Sequence, residues 1–112
     1  MNKIIRKTVP AYKVEIFIGG DLTVAKDICL NYCTKIGLCV TIEPTTFVYR
    51  NGSCEGVRIG LINYARFPSD ETQIWDKAIV LANLLKDGLG QGSYTVQDHA
   101  FSFFLSDRDE DQ

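Results

Sequence analysis

No run of apolar residues in the 112-residue chain approaches the roughly 18 that a membrane span needs. The basic stretch from Met1 to Lys7 is not followed by an apolar segment, so it is not read as a secretory signal, and the expected location is cytoplasmic. Charge of one sign is also scarce. The formal net charge of −2 arises in the last six residues, Asp107 to Gln112, which hold four acids and one base. Taking these from totals of 14 acids and 12 bases leaves 10 against 11, a nearly neutral body. That balance disfavours a protein held on nucleic acid or a membrane by bulk charge, and equally an acidic mimic of DNA.

Chemical signatures are sparse as well. There is no G-x-G-x-x-G and no Gly-Lys-Ser/Thr, so Gly19-Gly20 reads as a tight turn rather than a phosphate loop. Cys29, Cys33, Cys39 and Cys54 lack the spacing of a zinc knuckle or ribbon. In a reducing compartment they are expected to be free thiols, with Cys29 in a core. No metal and no cofactor is expected. His99 is the only histidine. An acid–base site with Asp98 and Tyr94 can be drawn around it, but no nucleophile motif is present, and Asp98-His99 reads as a solvated turn.

What the chain does contain is a clear order of elements. Arg50-Asn51-Gly52-Ser53 lies between two apolar runs, and Asn-Gly is a strong hairpin signal. A two-residue Asn51-Gly52 turn would pair Arg50 with Ser53 and Tyr49 with Cys54. Tyr12 to Ile18 alternates as a half-buried strand. Leu22 to Ile36 follows as a helix, capped by Asp21 and closed by Gly37, with Ala25, Ile28, Cys29, Tyr32 and Ile36 on one stripe. Leu38 to Tyr49 and Cys54 to Tyr64 form the hairpin, with a bulge expected near Pro44. Pro68-Ser69 caps a second helix, whose buried stripe is Ile74, Ala78, Leu81, Ala82 and Leu85. Ser93 to Gln97 and Phe101 to Ser106 read as strands.

The pattern β-α-β-β-α-β plus one strand predicts an α+β, ferredoxin-like domain over 12–106, with both helices on one sheet face. Residues 1–11 form a basic lead-in, and 107–112 an acidic tail whose composition favours disorder. The other sheet face is expected to be open and to carry Phe17, Phe47, Tyr49 and Ile62. An exposed apolar patch of this kind points to an interaction surface, through which the chain would form a homodimer or bind a host protein. Single-stranded RNA could stack on such a face. However, Cys54 to Ile59 lacks the aromatics of an RNA-recognition strand, so nucleic acid ranks below self-association.

A second surface is suggested by Gly60 to Ser69. Asn63, Tyr64 and Arg66 stand at a strand exit before a helix N-terminus, and Trp75 lies one turn into that helix. Arg58 or Arg50 could add a second cation. Planar cations, stacking faces and backbone donors suit a small anionic, nucleotide-like ligand. The plainer reading has Tyr64, Phe67 and Trp75 plugging the end of the core.

Three segments, Phe17 to Leu22, Gly37 to Pro44 and Gly56 to Pro68, resemble a group of small, functionally uncharacterised phage and prophage proteins. That resemblance implies a phage or bacterial setting and supplies no catalytic residues. Together these features lead to the expectation of a non-catalytic accessory binding module acting through its open sheet face. The alternative is a protein that binds or sequesters a small anionic ligand. Enzymatic activity is not expected.

Overall fold

The computed structural model describes residues 3–112, so the first two residues of the basic lead-in lie outside the described residues. Five strands and two helices follow: β1 (Lys13–Gly19), α1 (Leu22–Ile36), β2 (Thr41–Tyr49), β3 (Gly52–Ile62), α2 (Glu71–Leu89), β4 (Ser93–Gln97) and β5 (Ser102–Ser106). The sheet order is β2-β3-β1-β4-β5, and every neighbouring pair is antiparallel. This is the ferredoxin-like arrangement with β5 added beside β4. No helix among the described residues is long and apolar enough to cross a membrane.

Local chemistry sets each boundary. The Asp21 side chain accepts from the Val24 N–H to start α1, and Gly37, at φ 70°, ends it with its own N–H on the Cys33 carbonyl. For α2 the cap is Asp70, one residue beyond the Ser69 expected from sequence. Gln73 explains the difference, because its side chain returns to the Asp70 N–H and completes a capping box. The hairpin turn also differs. Tyr49 pairs with Gly52, leaving Arg50-Asn51 as the turn, and Asn51 alone among the described non-glycine residues has positive φ (63°). Gly52 has a different use: a Cβ there would come within 2.9 Å of the Tyr49 ring. The shift moves the register by two residues, so the expected faces survive. Pro44 pairs with Val57 in an unbroken ladder. No bulge is needed, since β2 is an edge strand and its outward N–H positions need no partner.

One sheet face is the core. Val14, Ile16, Val57, Ile59 and Val96 are fully buried there, under Ala25, Cys29 and Tyr32 of α1 and all five expected residues of α2. Ile36, the last residue of α1, is exposed. Buried tyrosines tie the layers through their hydroxyls: Tyr32 donates to the Lys77 carbonyl (3.2 Å) and Tyr94 to Asn83 (2.8 Å).

The opposite face carries Phe17, Phe47, Tyr49 and Ile62, as expected, but they do not form one apolar patch. Arg58 lies between them, paired with Glu15 (3.3 Å) and Glu43 (3.1 Å). Phe47 and Phe17 are only half-exposed. Phe47 lies against Gly56, where a Cβ would meet its ring at 2.5 Å. Glycines of β3 thus receive aromatic rings of β2, which covers part of the face from within the chain. The acidic C-terminus makes contacts with the body of the domain. The Asp107 N–H donates to the Gly92 carbonyl (2.9 Å), its carboxylate pairs with Lys86, and Asp109–Asp111 form a 3-10 turn.

Replacing Ile16 by Ala should cost about 2–5 kcal/mol in urea unfolding, as deletion of a fully buried side chain does. Ile62→Ala, on the open face, should stay within about 1 kcal/mol. Equal costs would refute this division of the sheet faces.

Candidate functional site

Because β1 runs antiparallel to both β3 and β4, the start of β1 meets the ends of β3 and β4, beside the start of α2. Chemically useful side chains collect here. Tyr12, just before β1, is buried (6% exposed), and its hydroxyl donates to Asp98 Oδ2 at 2.9 Å. Asp98 opens the turn between β4 and β5. Its Oδ1 accepts from the Ala100 and Phe101 N–H groups (2.8 and 2.7 Å), and its own N–H donates to the Phe101 carbonyl (2.9 Å). The His99 ring meets Tyr12 edge-on, centroids 6.0 Å apart. Asn63, past the end of β3, donates from Nδ2 to the Pro10 carbonyl (2.9 Å) and accepts the Ser69 N–H at Oδ1 (3.0 Å). It therefore fixes both the chain entering β1 and the approach to α2. Glu71 is the first residue of α2.

Three cavities open from this cluster: one of ≈ 490 Å³ lies beside Pro10, Asn63 and Ser69, and the other two share Tyr12, Glu71 and Asp98. A cleft of ≈ 620 Å³ is also bordered by Lys13, Glu15, Ile62, Gln97 and His99. A recess of ≈ 470 Å³ runs between α2 and β5, against Trp75, Phe101 and Phe103. Both volumes lie in the range of about 300–1,000 Å³ that suits small ligands.

The electrostatics distinguish the three shared residues. Asp98 is held below the ordinary carboxylate range by the Phe101 N–H first, then the Ala100 N–H, with the Tyr12 hydroxyl adding to them. Tyr12 is pushed upward by burial first, then by Asp98 and the nearby charge of Glu71, so it remains a neutral donor. Glu15 is paired with Lys13 (3.7 Å) and Arg58 (3.3 Å). Among the described residues, the Glu71 carboxylate has neither a hydrogen bond nor an ion pair. The cleft thus holds Glu15, Glu71 and Asp98 against Lys13, an acidic balance with one carboxylate unengaged.

Of the residues singled out for a ligand, Asn63 and Trp75 are brought to this end, Asn63 as a structural tie and Trp75 as a wall of the recess. Ile62, expected on the open face as an interface residue, also borders the cleft. Tyr64 turns elsewhere, against Cys39 Sγ (3.5 Å) and Phe67 (centroids 5.3 Å). Arg66 is exposed in the loop before α2, Arg50 sits in the hairpin turn, and Arg58 is engaged with its two glutamates. The three arginines do not converge. Phe17 and Phe47 border a smaller groove (≈ 220 Å³) at the opposite end of β1.

Sequence reasoning missed Tyr12 and Glu71, reading one as a strand residue and the other as a first-turn acid. It placed Asp98 and His99 in a turn, which is where they are, but drew Tyr94 as their neighbour. Tyr94 faces α2 instead. The missing signal was topological: in a ferredoxin-like order the start of β1 must lie beside the end of β4. Among the described residues no group of three potential ligands is placed to hold a metal ion. Cys29 lies in the core, where burial first, and then Cys33, push its thiol up to about 11, so it is protonated at neutral pH.

The fold and the site define an α+β, ferredoxin-like protein with an acidic cleft at one sheet end. No family model and no curated protein matches the sequence. Two solved structures share the fold along nearly its whole length. One is a phage SAM lyase in its apo state, at TM-score 0.68 and 13% identity, covering 93% of this chain and 96% of the other. The second is a phage SAM lyase in complex with S-methyl-5′-thioadenosine, at TM-score 0.67 and 13% identity, covering 94% and 96%. The expectation of a non-catalytic module acting through its open sheet is corrected by these neighbours, which carry the same fold and are lyases. The lack of a motif in the sequence therefore does not speak against catalysis.

Asp98→Asn should remove a pH-dependent part of stability. The folded Asp98 titrates below its ordinary 3.8, so its contribution is present above that value and is lost as the pH falls through the lower folded value. The gap in melting temperature between the variant and the parent should be full at pH 7 and close in acid. A gap independent of pH would exclude the carboxylate charge as its source.

Proposed function

We propose that this protein is a lyase acting on S-adenosylmethionine, with Tyr12, Glu71 and Asp98 lining its substrate site. The observation that carries the reading is the acidic cleft with its unengaged Glu71, in a fold that phage SAM lyases share. The substrate carries a sulfonium and an ammonium against one carboxylate, so it is a net cation. A cleft with Glu71 free and Asp98 held ionised attracts such a molecule. The small anionic ligand envisaged from the arginines matches this charge poorly, whereas a nucleoside-bearing cation matches it.

The bond to be broken joins the sulfonium sulfur to the four-carbon amino acid chain. Its electron pair goes to sulfur, which leaves as the neutral thioether of S-methyl-5′-thioadenosine. The four-carbon fragment is completed without water, by its own carboxylate oxygen bonding to the carbon that sulfur leaves. On this reading Glu71 meets the positive end of the amino acid chain. Tyr12, its one hydroxyl proton given to Asp98, lines the site as a neutral positioning group. Asp98 has its lone pairs committed to three donors and serves as the rigid anchor. The neutral thioether product loses the charge that drew the substrate in, which favours its release.

The test is incubation of the purified protein with S-adenosylmethionine and chromatography for S-methyl-5′-thioadenosine. Catalytic formation of that product is expected, and Glu71→Gln should lower kcat/KM by about 10²-fold, the scale for loss of one positioned catalytic group, with melting temperature held. No turnover by folded protein would overturn the assignment. Unchanged kinetics in Glu71→Gln would remove Glu71 from it.

A further inference from the structure

The recess between α2 and β5 is not accounted for by the polar chemistry of the cleft. Resting on the lyase reading, we propose that it is the purine subsite, with Trp75, Phe101 and Phe103 as its stacking walls. Trp75 stands four residues after Glu71, so the two share one face of α2. Phe103 pairs with Val96, a fully buried residue of β4, which puts it on the helix side of β5. Phe101, two residues earlier, points the same way. α2 packs over β1 and β4, and the sheet continues past it into β5. Leu105 still packs against the core, but the start of the added strand is left uncovered on its helix side, with Phe101 73% and Phe103 39% exposed.

Phe101 is held firmly despite its exposure. Its N–H donates to Asp98 Oδ1 and its carbonyl accepts the Asp98 N–H. An exposed ring on a pinned backbone, bordering the same recess as a half-buried indole, suits a flat heteroaromatic ring. Thr72, in the first turn of α2, borders the same space, and its hydroxyl can meet a ring nitrogen. The recess and the cleft join at Tyr12, Glu71 and Asp98. A ligand with its purine in the recess would therefore present its sulfur end to the acidic cleft.

Trp75 is the only tryptophan, so its fluorescence reports on the recess directly. The full chain should be titrated with S-methyl-5′-thioadenosine, adenosine and methionine. Saturable quenching by the two nucleosides and none by methionine is expected. Phe101→Ala should weaken nucleoside binding about tenfold, the size of one lost base–aromatic stack, with melting temperature unchanged. Absence of quenching, or nucleoside affinity unaffected by both Phe101→Ala and Phe103→Ala, would overturn the subsite. The two proposals fail separately. S-adenosylmethionine cleavage without these effects leaves the lyase standing and places the purine elsewhere. Nucleoside quenching that depends on Phe101, without cleavage, leaves a nucleoside site and removes the lyase.

Discussion

The Asp98 carboxylate is the constraint on which the working end of the molecule depends. It bonds to Tyr12 across 86 residues of sequence with one oxygen, and with the other it receives two successive backbone N–H groups of its own turn. Those bonds favour the ionised carboxylate, and the ionised carboxylate in turn orders the turn, the phenol and the Phe101 backbone. One charge thus fixes the start of β1 to the end of β4 and sets the distance between the cleft and the recess. Glu71 lies beside this anchor without being consumed by it, so the site combines a rigid acid with one free to meet a ligand.

The open sheet face shows why apolar residues of one parity need not form a docking surface. Gly56 and Gly52 on β3 leave room that rings of Phe47 and Tyr49 occupy. A side chain at Gly56 would also run into the Ile18 carbonyl at 2.4 Å, so the glycine serves strand packing as well. Arg58 then crosses the middle of the face, neutralised by Glu15 and Glu43. Residues that look like an interface when read along the chain are divided by an ion-paired row and partly covered by one another. Their exposed pairs contribute little to stability, as surface ion pairs generally do, but they remove the continuity an apolar interface would need.

Much of the fold was legible in the sequence because its signals are local. Period-two alternation placed β1, helical spacing placed the α2 stripe, and Asp21, Gly37 and Asn51 marked ends and turns. The errors were small where parity protected the outcome, as in the hairpin, whose two-residue shift kept every face. The cap of α2 moved by one residue because a side chain three positions ahead decided it. The site was less legible for a physical reason. Tyr12, Asn63, Glu71 and Asp98 belong to four separate segments, and no spacing relates them. Only the strand order brings them together. The arginines drew attention because a planar cation is conspicuous in a sequence, yet Arg58 spends its charge on the sheet and Arg50 and Arg66 stand apart.

The added strand changes what this fold can do. A four-stranded sheet of this order ends at β4, and its helices can cover it fully. With β5 present, two helices must cover five strands, and the helix side of the last one lies beyond α2. The exposed Phe101 and Phe103 are therefore consequences of topology before they are consequences of function. The same geometry makes them useful, because the uncovered strip lies directly beside Glu71 and the Asp98 anchor. A recess walled by aromatic rings next to an acidic cleft would match a ligand that is flat and aromatic at one end and cationic at the other. The sheet order generates that pairing of opposites with two strand ends, one helix start and one extra strand, and without any contiguous motif.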